Sequence, residues 1–204
     1  MTPFSSSVSR ESYLRIAGES AKRCGISLRA PGKWHMNSHF LACWKELIEE
    51  EMEHKRPDHI IFTAHSIPQK YIDAGEPYRE EIIELSGALS ADLGIKRSEV
   101  AFQSAGRTRD AWLGPSLEQT VRGLKGRGTE DVLVVPLGFV SEHLEVLYDI
   151  DIEAKRIASE EGVHMRRTSL PNDRKEFIKA LADVCESAMP TAASSVGVWK
   201  AGSE

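Results

Sequence analysis

Two uninterrupted apolar runs organise the chain: HIIFTAH at 59–65 and DVLVVPLGF at 131–139. Runs of this length without polar alternation fit strands buried on both faces. Between and around them the apolar period changes to that of helices. Residues 37–55 place Phe40, Leu41, Trp44, Leu47 and Ile48 on one helical face. Further helices are predicted over 9–24, closed by Gly25, and over about 76–93, 115–125 and 173–188. Pro115 suits the first turn of its helix. Additional strands are predicted at ISLRA (26–30, ended by Pro31), at EVAFQS and near 163–168. After 139 comes an acidic helix with Ser141 in the N-cap position. The tail from Pro190 has no period and reads as disordered. Repeated β–α units predict an α/β, Rossmann-type parallel sheet with helices on both faces. Ligands of such sheets bind outside the carboxyl ends of the strands. HSIP after the first run and SEHLE after the second fall at such ends, on one rim.

Composition narrows the classes. The 204 residues are 41% hydrophobic and 28% charged, ordinary for a globular protein with one sizeable core. A net charge of −5 with mixed signs gives no electrostatic case for nucleic acid. The longest apolar run is too short to span a bilayer and contains Pro136, and the first residues carry no signal-peptide pattern. Cys24, Cys43 and Cys185 are scattered and never spaced CxxC, which argues against a disulfide framework, a zinc site or a four-cysteine iron–sulfur cluster. A cytoplasmic protein is expected.

Four stretches carry candidate chemistry. His65 closes an apolar strand, where a core histidine and a reactive one are both at home. GFVSEHLEVLYDIDIEAKRI (138–157) holds Glu142, Glu145, Asp149, Asp151 and Glu153, of which Glu145, Asp149 and Glu153 recur every four residues. Carboxylates about 6 Å apart repel by roughly 0.7 kcal/mol in water and roughly 3 kcal/mol at an effective dielectric near 20. In a cleft the ladder must hold protons or cations, and on a wet surface it need do neither. A four-residue step drifts by about 40° on an ideal α-helix, and a locally widened, π-like turn would change that alignment. His35 and His39 have i, i+4 spacing, but Met36 stands where an HExxH motif has glutamate, so they read as structural or incidental. GLKGRG (123–128) runs into a strand and reads as a helix stop rather than a phosphate loop.

Taken together, FTAHSIPQKY (62–71), FQSAGRTRDAWLGPSLEQTV (102–121), VPLGFVSEHLEVLYDIDIE (135–153), LPNDRKEFIKAL (170–181) and the opening PFSSSVSRESY (3–13) resemble ferrochelatases, in particular the bacterial branch acting on coproporphyrin III. The resemblance covers residues 3 to about 188 in the family's order. It implies a chelatase-like fold of two similar α/β domains with the porphyrin between them. Residues 1–56 would be the end of the first domain with a crossover helix, 57–189 the second domain, and 190–204 a tail. Nearly all of the first domain would be lacking, through a misplaced start, a fragment or a genuine short form, and in the last case the face that meets that domain would be exposed, apolar and in need of a partner.

The implied activity is insertion of Fe²⁺ into a porphyrin in heme biosynthesis, with coproporphyrin III favoured over protoporphyrin IX. By resemblance, His65 faces the pyrrole nitrogens with Glu145 as its carboxylate partner. Asp149 and Glu153 continue a path for metal or protons, so that His65, Glu145, Asp149 and Glu153 form the metal-handling set. Trp112 matches the pocket wall and Tyr13 a propionate-binding tyrosine. Glu142 and Asp151 fall off that line and read as solvated. No tightly bound cofactor is expected. A cobalt or nickel chelatase and a non-catalytic tetrapyrrole-binding fragment are the alternatives.

Overall fold

The structure, a computed structural model, describes residues 2–106 and 108–189. A π-helical turn, Ser7–Glu11, runs into α1 (Ser12–Arg23), followed by α2 (Ser38–His54) and β1 (His59–His65). Then come α3 (Gln69–Asp73), α4 (Tyr78–Asp92), β2 (Ser98–Gln103), α5 (Leu117–Arg122) and β3 (Asp131–Val135). The acidic helix has three consecutive pieces: α6 (Leu144–Val146), a π-helix (Leu147–Ala154) and α7 (Lys155–Glu160). β4 (His164–Arg167) and α8 (Lys175–Ser187) complete the order.

The four strands form one parallel sheet in the order β2-β1-β3-β4, with His65 opposite Gln103 and Phe62 opposite both Val100 and Val135. The α/β architecture predicted from the alternation is therefore the one observed. The two uninterrupted apolar runs are its two interior strands, which is why neither alternates. α2 packs with α8 and α4, while α5 packs with α7 and the π-helix, so helices cover both faces. The order of strand addition reverses about β1: β2 lies on one side of it and β3 on the other. The crevice at the carboxyl ends of β1 and β3 is thus the topological switch point, the usual ligand position in such sheets. Among the described residues no helix is long and apolar enough to cross a membrane.

Several local expectations fail for tertiary reasons. Residues 26–30 form no strand; they run without a hydrogen-bonded neighbour strand from α1 toward the buried Trp34. Ser141 is not an N-cap. The helix starts three residues later, after His143, because the backbone N–H of Glu142 donates to Asn172 Oδ1 (3.0 Å) and its side chain pairs with Arg167. Pro115 lies before α5, whose N-cap is Ser116 in a reciprocal capping box with Gln119. The stop signals hold: Gly25 and Gly128 take positive φ, and Gly123 caps α5. The tail from Pro190 falls outside the described residues.

Candidate functional site

His65 is the last residue of β1, and its backbone is tied down on every side. Its carbonyl accepts from the buried Tyr78 hydroxyl (2.9 Å), and the next residue, Ser66, donates its N–H to Gln103 O (2.8 Å) and its hydroxyl to Leu113 O (2.8 Å). Burial pushes the Tyr78 phenol well above its ordinary range, so it remains a donor. From the other side comes the loop after β3. Gly138 donates to Thr63 O (3.0 Å), and a Cβ there would lie 2.7 Å from Ala64 Cα. Only glycine lets this loop lie against the end of β1. Seven residues further on, that approach delivers Glu145.

His65 Nε2 and Glu145 Oε1 are 3.1 Å apart, with the two side chains 40% and 42% exposed. The other ring nitrogen, Nδ1, faces the Ser66 carbonyl at 2.5 Å. A carbonyl only accepts, so Nδ1 carries the hydrogen and a neutral ring presents a lone pair at Nε2. Two bare acceptors at 3.1 Å repel each other. A cation between Nε2 and Oε1, either a proton or a metal ion, would find a donor atom on each side.

The ladder below Glu145 is set by the helix itself. Val146, Ile150, Ala154 and Ala158 are all fully buried, a period of four rather than 3.6. A strict α-helix would rotate this row out of the core by about 40° per step. The i→i+5 bonding of the π-helix at Leu147–Ala154 takes more residues per turn, so it drifts the opposite way and keeps the row in place. Glu145, Asp149 and Glu153 each precede a member of that row and so share its alignment beside the core. Asp149 accepts a hydrogen bond from Ser104, whose φ of 61° is left-handed, uncommon for a residue with a side chain. Glu153 has no hydrogen-bond or ion-pair partner among the described residues.

Glu142 and Asp151 do lie off this line, but they are not merely solvated. Both bind the Arg167 guanidinium, Asp151 at 2.8 Å and Glu142 at 3.0 Å, fastening the acidic helix to β4. Burial acts to lower the Arg167 guanidinium, and these two carboxylates more than reverse it. His35 and His39, read above as structural or incidental, point to different partners. Each sits against one carboxylate, Glu84 at 2.8 Å and Glu176 at 2.7 Å.

Trp112 is half-buried after β2, with its ring resting on Gly106 and its N–H on Thr108 Oγ1 (3.0 Å). Tyr13 on α1 is 73% exposed and joins Arg10, Trp34, Phe139 and His143 around a mainly apolar cleft of about 650 Å³. His65 and Glu145 do not line that cleft. His143, its ring tilted against Phe139 at 4.9 Å, stands at its edge two residues before Glu145. Sequence reasoning missed Ser104, Tyr78 and His143. Ser104 lies within a quoted motif, but its backbone angle and its reach to Asp149 are visible only in three dimensions.

Comparison with known proteins gives one consistent answer. The family model described as ferrochelatase matches residues 1–189. The chain is 37% identical over 191 residues to the coproporphyrin III ferrochelatase of Geobacillus sp. (strain WCH70), covering 90% of this chain and 62% of that protein. It is 34% identical over 191 residues to the coproporphyrin III ferrochelatase of Bacillus subtilis (strain 168), again 90% of this chain and 62% of the relative. A ferrochelatase of Thermus thermophilus is 41% identical over 130 residues, 64% of this chain and 41% of that one. The chain thus spans 62% of the length of the Geobacillus and Bacillus relatives.

Proposed function

The chain belongs to the ferrochelatase family, and we propose that it carries the metal-handling half of an enzyme that inserts Fe²⁺ into a porphyrin in heme biosynthesis. The observation that carries this reading is the half-exposed 3.1 Å His65–Glu145 pair, with Nε2 toward the carboxylate and the other ring nitrogen tied to the backbone. Insertion removes two pyrrole N–H protons and brings in one divalent metal, so charge balances without oxidant or reductant. One Nε2 lone pair cannot hold a metal and a proton together. Delivery of iron and removal of protons therefore take turns at His65, with Glu145 balancing whichever cation is present. Asp149, held by Ser104, and Glu153 form the route by which the outgoing proton or incoming metal passes along the helix.

Trp112 and Tyr13 are assigned to porphyrin contact, Tyr13 toward a propionate. Coproporphyrin III is the proposed substrate, supported by relatives so named along 90% of the chain. The unpaired state of Cys24, Cys43 and Cys185 supports a cytoplasmic location. The proposed division puts residues 1–56 with a first domain and 57–189 in the second, with the porphyrin between them.

Metal insertion by the purified chain, followed optically with coproporphyrin III and Fe²⁺ under anaerobic conditions, tests the reading. Turnover that disappears in His65→Ala is the expected outcome. Porphyrin binding without turnover would make this chain a binding fragment, and preference for Co²⁺ or Ni²⁺ on a more reduced tetrapyrrole would make it a different chelatase.

A further inference from the structure

The apolar row of α4 (Tyr78, Glu81, Ile82, Leu85, Leu89) has an acid in it. Glu81 is 2% exposed, at a position whose neighbours in the row are core residues. A buried carboxylate is costly unless hydrogen bonds replace its water. Here they come from the opening of the chain: Ser5 donates its N–H to Oε2 (2.6 Å) and its hydroxyl to Oε1 (2.9 Å). Near the start of the same helix Glu76 repeats the grip, accepting the N–H and the hydroxyl of Ser7. Between the two grips and the sheet lies Phe4, 1% exposed, stacked on His35 (5.9 Å) and edge-on to Tyr78 (6.1 Å). Tyr78 is the residue whose hydroxyl fixes the His65 carbonyl.

Residues 3–7 are thus a strap, laid across α4 and held by two glutamates. What the strap carries is one wall of the cleft: Arg10, Tyr13 and Leu14 follow directly from it, facing Phe139 and His143 on the loop that leads to Glu145. α1 itself buries no residue, so its own packing does not decide where that wall stands. We propose that Glu81 and Glu76 are positioning residues: they hold the Tyr13 wall opposite Phe139 and His143 and so set affinity for a flat tetrapyrrole rather than the rate of metal transfer. This rests on the functional reading above, and adds to it a determinant that touches neither substrate nor metal.

The test uses the chain as it stands, with Glu81→Gln and the less buried Glu76→Gln, which spares the core if the first variant folds poorly. Coproporphyrin III affinity is read by fluorescence quenching, insertion by separate KM and kcat, and the strap by amide hydrogen exchange over residues 4–16. Losing a hydrogen bond to a charged acceptor is expected to weaken porphyrin binding and raise KM by about tenfold. Exchange over 4–16 should quicken while kcat holds. Unchanged exchange and unchanged affinity would overturn the proposal, and so would a fall in kcat at constant KM, since the residues would then act through His65. If the wild-type chain binds no porphyrin, it is the functional reading that fails. Exchange at 4–16 then decides the strap alone: faster in the variants keeps it, unchanged removes it.

Discussion

Five histidines among the described residues sit within ion-pair distance of a carboxylate: His35, His39, His59, His65 and His164. Proximity to an acid therefore does not single out reactive chemistry. His65 differs in place and in its second nitrogen. It ends an interior strand at the switch point, it is half-exposed, and a backbone carbonyl dictates which nitrogen carries hydrogen. His59, at the opposite end of the same strand, is buried, and burial holds its imidazole below the ordinary value against the pull of Glu99. Two substitutions separate seat from scaffold. Glu145→Gln keeps an acceptor and a donor beside His65 but removes the charge that balances a cation. Insertion should fall by about a hundredfold or more, while the melting temperature measured by circular dichroism stays close to wild type. Tyr78→Phe leaves the His65 carbonyl without its donor. It should lower stability in urea by roughly 1–3 kcal/mol, and it should reduce turnover because His65 loses a fixed position.

At the scale of elements, the informative unit is the acidic helix. Deleting Asp151 should let the π segment close as an ordinary i→i+4 helix, because the seven steps then left from Val146 to Ala154 turn about 700°, within about 20° of two full turns. Ala154, Ile157 and Ala158 should then stay at the core, so helical ellipticity should persist and the urea midpoint should fall only by what the lost Asp151–Arg167 pair contributed. Gly138→Ala should be more disruptive and lower the urea midpoint clearly, because its Cβ meets the backbone of Ala64 rather than a yielding side chain. These elements also show what the chain's pattern made legible. The interior strands were readable because burial on both faces removes alternation, and the acid ladder because a four-residue period is visible as letters. Residues 26–30 were misread because a strand needs a partner, and nothing local reveals that no neighbouring strand pairs with it. The start of the acidic helix was misplaced at Ser141 because Asn172 and Arg167, about thirty positions away, claim the residue that would have opened it. Ser104 and the strap glutamates are contacts between distant segments, and no window of sequence contains both partners.

For the molecule as a whole, acid should be the destabilising direction. Burial alone would raise the Asp131 carboxyl, but Lys55, His164 and Arg166 bind it and hold it below the ordinary range. Its stabilisation is complete above the unfolded value of about 3.9 and is lost as pH falls through the lower folded value. His59 adds an earlier decline: below about 6.5 the unfolded chain takes a proton that the buried ring refuses, so stability drops from there downward. Urea midpoints from pH 8 to pH 3 should therefore slope downward with acid, and Asp131→Asn should be less stable at pH 7 by at least about 2 kcal/mol yet flatter below pH 4. The Asp131 hub joins the end of α2 to the starts of β3 and β4, while His65 stands at the finish of β1. Because all strands run the same way, the seven residues of β1 put about 20 Å between the two. That one-way sheet gives the laboratory a handle. A tether, a dye or a stabilising substitution placed around the hub can be tuned freely, with the reacting end left as it was.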